Sequence, residues 1–312
     1  MIRPKESLMR HAFVSAFLVL SIVTLVAAPR HARAAGETGF VFLKIGVGAR
    51  AMGMGSAFVA LADDPTSVYW NPAGLASIEN TQVTVMHNEW ILDFRQEFVA
   101  VGTQLGPGTL GVGFAGFYTE ELERRSDTGV LEGHYGANDI AFTGAYGVRL
   151  APGLDAGLGV RYIRGMIDNV DATTIAADVG AKYRVSDTGL TLGASVANIG
   201  GDAKFEAEEF PIPLTWRLGG AWSKNVEALR GRGTVSAEYR QAREDDGKFH
   251  LGGEYAYRER LALRVGGAFG YDDQDLTFGV GLMKDWFRFD YALVPFSSDL
   301  GSTHLFSLTG SF

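Results

Sequence analysis

The 312-residue sequence contains no cysteine, which excludes disulfide staples, thiolate metal sites and cysteine nucleophiles. Past its first 34 residues it also lacks any apolar run long enough for a membrane-spanning helix. Cations are sparse: 28 Lys and Arg face 36 Asp and Glu, for a net charge of −8, and no basic cluster beyond the leader offers a groove for phosphates. Nucleic acid is therefore not an expected partner. The six histidines are scattered, and His11 and His31 lie in the first 34 residues, so no paired-histidine zinc spacing remains. Gly46 and Gly48 followed by Gly53 fit neither the dinucleotide fingerprint nor the phosphate loop. Asp272, Asp273 and Asp275 lack the central glycine and distal glutamate of a calcium loop. Ser195 sits between Ala194 and Val196 in a strand pattern rather than on a nucleophile elbow. The expectation is a protein with no catalytic residues, no metal and no cofactor.

What is abundant is glycine, at 41 residues, together with an aromatic content of 12% and a mean hydropathy of only +0.05. The glycines show no three-residue period, so collagen is excluded. So many aromatics argue against disorder. The leader has a basic start (Arg3, Lys5, Arg10), an apolar stretch from Ala12 to Ala28, and Ala32-Arg33-Ala34 as a small-x-small cleavage site. Residues 1–34 are read as a secretory signal peptide, with the mature chain beginning near Ala35.

From about residue 81 onward, stretches of roughly ten residues alternate in character and end in turn signals. Leu154, Ala156, Leu158, Val160 and Tyr162 share one face, while Asp155, Gly157, Gly159 and Arg161 share the other. The same holds for Ile175, Ala177, Val179, Ala181 and Tyr183 against Asp178, Gly180, Lys182 and Arg184. Leu214, Trp216, Leu218 and Trp222 face away from Thr215 and Arg217. Leu261, Leu263, Val265 and Phe269 face away from Arg264, Gly266 and Ala268. Large apolar residues on one face, with small residues and isolated charges on the other, fit lipid outside and a lumen inside.

In hydrocarbon an open sheet edge would leave backbone groups unsatisfied, so the sheet must close. The predicted fold is all-β: a membrane-spanning antiparallel β-barrel of about 14 strands, centred near residues 85, 100, 113, 144, 159, 179, 194, 218, 236, 253, 266, 279, 290 and 308, within residues 81–312. Tyr118, Tyr162, Tyr183, Trp222, Tyr257 and Tyr271 are placed at strand ends, as an interfacial girdle. Tight turns at 106–108, 151–153, 186–189, 258–260 and 284–285 are assigned to the periplasmic side, together with both termini. Longer links at 120–137, 167–172, 200–213, 243–248, 272–275 and 295–303 are assigned to the outer side.

Residues 35–80 break this rhythm. Glycines at 46, 48, 53 and 55 permit close backbone packing, Ala49, Ala51 and Ala57 favour a short helix, and Asn71-Pro72 with Gly74 turn the chain toward the first strand. This reads as a compact plug that would explain the inward glycines of the strands. Inward charges at Arg161, Asp178, Lys182, Arg217, Glu254, Arg264, Arg288 and Asp290 are placed to pair with one another or with Arg50, Asp63 and Asp64; a substrate path is the open alternative.

Three runs in this region carry a family likeness: Gly48-Ala49-Arg50-Ala51-Met52-Gly53 with Gly55, then Ala62-Asp63-Asp64, then Asn71-Pro72-Ala73-Gly74-Leu75-Ala76. In order and spacing they resemble the N-terminal hatch of the FadL/TodX superfamily, and the short mature chain resembles its PorV/PorQ branch. The motifs cover residues 39–80; the remainder is matched only by pattern and by the final strand. The resemblance implies a hatch of short helices plugging the lumen, with Gly48, Arg50, Met52, Gly53, Gly55, Asp63, Asp64, Asn71, Pro72 and Gly74 as its structural or gating residues. The last strand carries Phe306, Leu308, Gly310 and Phe312 on one face. It resembles the C-terminal signal of outer-membrane barrels read by the barrel-assembly machinery.

Two functions follow from the resemblance. The first is an accessory or shuttle for protein export of type IX kind, with a translocon and exported cargo as partners. The second is passive transport of hydrophobic small molecules such as fatty acids or aromatics. The implied location is the bacterial outer membrane, with its lipid as surroundings. A water-filled porin is disfavoured because the hatch would block it.

Overall fold

The computed structural model describes residues 38–312, apart from 206, 207, 275, 298 and 299 and the side chains of Glu120 and Glu121. The expected signal peptide, the first residues of the expected hatch and Asp275 lie outside the described residues.

Sixteen strands follow one another: β1 (Gln82–Glu89), β2 (Arg95–Leu105), β3 (Gly108–Arg125), β4 (Leu131–Ala151), β5 (Leu154–Ile167), β6 (Val170–Arg184), β7 (Leu190–Gly200), β8 (Ala203–Phe205), β9 (Glu208–Phe210), β10 (Thr215–Val226), β11 (Gly231–Ala242), β12 (Lys248–Tyr257), β13 (Leu261–Phe269), β14 (Leu276–Lys284), β15 (Phe287–Pro295) and β16 (Ser302–Ser311). Fourteen of them form a closed antiparallel barrel in which β1 pairs with both β2 and β16, and β8 and β9 form a separate small hairpin. Closure sets Val83 opposite Gly310, in the register that leaves no edge facing lipid.

The outside is apolar because the alternation requires it. Leu158, Val160 and Tyr162 on β5 are exposed by 66, 59 and 41%, whereas Asp155, Arg161 and Ile163 on the other face of the strand are buried. The expected barrel of 14 strands is thus the observed one.

One end of the barrel, here the turn end, carries the tight turns and Phe312. The opposite, loop end departs from expectation in three places. Residues 120–137 are mostly strand: β3 and β4 continue as a hairpin whose register reaches Arg125 opposite Leu131. Their neighbours stop earlier, β2 at Arg95 opposite Tyr118 and β5 at Ile167 opposite Ala137, so the hairpin stands beyond the wall. Outside the membrane nothing demands an apolar face, and the charged run was misleading for that reason. Residues 167–172 hold a tight turn, with Asp168 at φ 55°, instead of a long link. Residues 200–213 contain the β8–β9 hairpin.

Residues 38–80 lie inside the barrel, against the inner faces of its strands. They contain the helices Ala49–Gly53 and Ser67–Trp70 and short 3-10 turns at Val41–Lys44 and Pro72–Ser77. Against the expectation of both termini at the tight-turn end, the described chain begins at the loop end. The Gly39 N–H donates to the Pro211 carbonyl at the loop end, whereas the carbonyl of Ile78 receives the side chains of Gln104 and Thr109 near the turn end. The segment therefore runs the height of the lumen before β1 begins. One girdle assignment also fails: Tyr271 turns away from lipid toward His250, 3.3 Å from its Nε2.

Candidate functional site

The interior is built by fitting the inner segment against glycine. A Cβ on Gly157 would fall 2.2 Å from the Pro72 carbonyl carbon, one on Gly180 2.0 Å from the Asn71 side-chain oxygen, and one on Gly266 2.0 Å from the Gly55 nitrogen. Gly55 itself sits at φ +63° against the Gly267 backbone, and Gly53 against Gly279, so both sides of the contact have shed their side chains. Gly74 abuts the Ala62 carbonyl, and Gly48, at φ +85°, precedes the helix Ala49–Gly53.

Polar anchors hold the segment to the wall. The Ala49 N–H donates to Ser307 Oγ at 2.8 Å and the Gly55 N–H to Thr277 Oγ1 at 3.0 Å. Glu238 Oε2 accepts from the N–H groups of Phe58 and Val59, both at 2.8 Å. Asn71 Nδ2 donates to Val59 and to Ala181 of β6, while its Oδ1 caps the turn that starts at Pro72 by accepting from the Ala73 N–H. Met52 is buried under Trp70, whose Nε1 donates to Val47.

The charges singled out in the sequence all point inward, and most meet in one network. Arg50 lies 2.6 Å from Asp63, 3.9 Å from Asp64 and 3.5 Å from Glu254. Arg288 joins Asp64 at 2.6 Å to Asp290 at 2.7 Å, and Arg264 joins Glu254 at 2.6 Å to Asp290 at 2.8 Å. Burial alone would push the Asp64 carboxyl up; the guanidinium groups of Arg288 and Arg50, with the Thr66 hydroxyl, overcome it and hold it below the usual carboxylate range. Four more stand apart from this network, among them Arg217, 3.7 Å from Glu238. Arg161 pairs with Asp178 at 2.9 Å, and the Lys182 ammonium donates to the Ala62 carbonyl.

Several interior residues were not anticipated. Glu238 and Arg240 are buried lumen charges, and Tyr69 lies beneath two guanidinium groups, those of Arg217 at 5.2 Å and Arg161 at 5.8 Å. The signal for Glu238 was present: Thr234, Ser236, Glu238 and Arg240 alternate with Val235, Ala237 and Tyr239.

Toward the loop end the interior becomes apolar. Phe40 meets Phe210 and Phe205 of the β8–β9 hairpin at 5.6 and 6.5 Å between centroids, and the cluster continues through Phe42, Leu43, Ile163 and Ile212. Beside it lies a cavity of only about 10 Å³, walled by Phe42, Leu43, Phe98, Ala115 and Ala141 and on its polar side by Gln96, Thr143 and Arg161. That is space for no more than about one water. On the last strand, Phe306, Leu308 and Phe312 face outward, Gly310 lies under the Phe312 and Trp286 rings, and the Phe312 N–H donates to Thr81 at 2.8 Å.

A family model describing an uncharacterised protein family, UPF0164, matches residues 20–209. The chain belongs to UPF0164. No curated protein matches this UPF0164 chain. Among solved structures, the barrel is similar to the Pseudomonas putida toluene transporter TodX, with a TM-score of 0.60 and 14% identity over 85% of this chain and 97% of that one. It is similar to the CymD monoaromatic hydrocarbon channel, with a TM-score of 0.60 and 12% identity over 88 and 99% of the two chains. A Pseudomonas aeruginosa FadL homologue aligns with a TM-score of 0.55 and 12% identity over 85 and 98%. At these identities the likeness establishes that this UPF0164 member has the FadL/TodX type of barrel.

Proposed function

We propose that this UPF0164 barrel is a passive outer-membrane transporter of small hydrophobic molecules, taken up at the loop end, with the turn end in the periplasm. The observation that carries this reading is the aromatic cluster of Phe40, Phe205 and Phe210, which joins the start of the inner segment to a hairpin at the barrel mouth. An apolar molecule can exchange for these contacts, whereas an ion meets a lumen already filled with paired charges. Passage then requires the inner segment to shift, because the cavity beside the cluster is too small for an organic solute. Two structural neighbours are a toluene transporter and a monoaromatic hydrocarbon channel, which supports the same reading.

The test is uptake of radiolabelled toluene into proteoliposomes. The wild type should exceed an unrelated barrel of equal size, and Phe210→Asp should return uptake to that background; equal uptake by all three would defeat the proposal.

A role in protein export, of the PorV/PorQ kind, is the second reading. The projecting β3–β4 hairpin favours it, since Thr119–Arg125 and Leu131–Gly136 lack their outer neighbours and so offer strand edges to an extended partner. Co-purification of exported proteins that is lost when residues 120–136 are replaced by a short turn would support it.

A further inference from the structure

The glycines of this barrel fall into two kinds. Many of those facing the lumen, such as Gly157, Gly180 and Gly266, are forced by the inner segment. Gly233 and Gly253 face lipid, and a Cβ there would meet its nearest neighbour, a valine methyl, only at 4.0 and 3.7 Å. Nothing in the packing requires glycine at either position, yet together they hollow the outer wall.

The hollow is a trough of about 500 Å³ across β10, β11, β12 and β13. The register builds it from two rows. Trp222, Val235, Gly253 and Val265 lie side by side, and Lys224, Gly233, Tyr255 and Leu263 lie beside them, one step nearer the turn end. Trp222 and Tyr255 are fixed at the interfacial level by hydrogen bonds to the turn carbonyls of Thr188, 3.0 Å, and Leu229, 2.7 Å. Apolar residues floor the trough toward the membrane centre, and Lys224 stands at its interfacial edge.

Charge is lopsided at that edge. Lys224 has no ion-pair partner among the described residues, and the adjoining turns and the start of β11 add Arg230, Arg232, Arg258 and Arg260 against Glu227, Glu259 and Asp187. The Arg258 N–H donates to the Arg230 carbonyl at 2.9 Å, so the two turns are neighbours. A cationic rim over an apolar trough matches a phosphate headgroup over an acyl chain.

We propose that this trough is a binding site for one anionic glycerophospholipid of the leaflet at the turn end, with its acyl chain over Gly253 and Gly233 and its phosphate at Lys224 and the turn arginines. The site is independent of the lumen and of the transport reading.

Native mass spectrometry of the full barrel, released from bilayers of equal phosphatidylglycerol and phosphatidylcholine, tests it. The wild type should retain phosphatidylglycerol in preference. Lys224→Gln should lower that preference about fivefold, the effect of one surface cation on an anionic lipid. Gly253→Leu should displace both lipids, with heat-modifiable electrophoretic mobility confirming that each variant is folded. If Gly253→Leu does not fold, Lys224→Gln alone decides. No preference in the wild type, or a preference unchanged in Lys224→Gln, overturns the site.

Discussion

Glu238 Oε2, on the wall of the barrel, lies 2.8 Å from the backbone nitrogen of Phe58 in the inner segment, and the same oxygen is 2.8 Å from that of Val59. One carboxylate thus accepts from two buried N–H groups, of which that of Phe58 also reaches the Ser56 carbonyl at 3.0 Å. Glu238→Ala should orphan the Val59 N–H, while Phe58 keeps its bond to Ser56, and cost about 1–3 kcal/mol. The inner segment should become cleavable by added protease while the barrel stays folded. Glu238→Gln, which keeps an acceptor oxygen, should be protected more than Glu238→Ala.

The Asp64–Arg288 pair gives a pH dependence of known sign. Because the folded Asp64 carboxyl titrates below its ordinary value near 3.8, the stability it contributes is complete above that value and is lost as pH falls through the lower folded one. Protease resistance of the inner segment should therefore be flat from neutrality to about pH 5 and fall only below about pH 4. Asp64→Asn should be weakened at neutral pH and show a flatter acid limb.

Removing the cation instead leaves Asp64 with Arg50 at 3.9 Å and Asp290 with Arg264 at 2.8 Å. Arg288→Ala should lower stability by about 1–3 kcal/mol, less than the cost of stranding a buried charge outright, because each carboxylate keeps a guanidinium. Melting followed by circular dichroism measures this.

Space separates two glycines that look alike in sequence. A Cβ on Gly144 meets nothing within 4 Å, whereas on Gly157 it collides with the Pro72 backbone. Gly144→Ala should be neutral within about 0.5 kcal/mol. Gly157→Ala should unseat the Pro72 turn, read as new protease cleavage near residue 72.

These contrasts mark how far the sequence carries. Alternation such as Leu158, Val160 and Tyr162 against Gly157 and Arg161 locates the barrel strands, because lipid imposes an apolar period of two. The same rule goes silent where lipid ends. The β3–β4 extension, with Glu123, Arg124 and Arg125, looks like a loop because no lipid imposes an apolar period on it. The β8–β9 hairpin escapes because three residues per strand cannot display a period, although Phe205 and Phe210 supply the apolar mouth. Inward charges were legible one at a time, as at Arg264 and Asp290. Pairing with Arg50, Asp63 and Asp64 was legible as a set; which charge meets which was not, because that depends on how residues 38–80 are laid inside the wall.

Phe312 contributes its backbone to closure, donating to Thr81, while its ring lies 5.7 Å from Trp286 on the lipid side. Deletion of Phe312 should reduce the heat-modifiable, assembled fraction of the protein while leaving the exported amount unchanged.

The central claim is that the barrel is closed by its own residues 38–80, leaving no continuous aqueous path. Single-channel recording in planar bilayers addresses it directly. The wild type should insert without steady ionic current, and Glu238→Ala should show intermittent openings as the segment loosens; a large, steady conductance from the wild type would contradict the account.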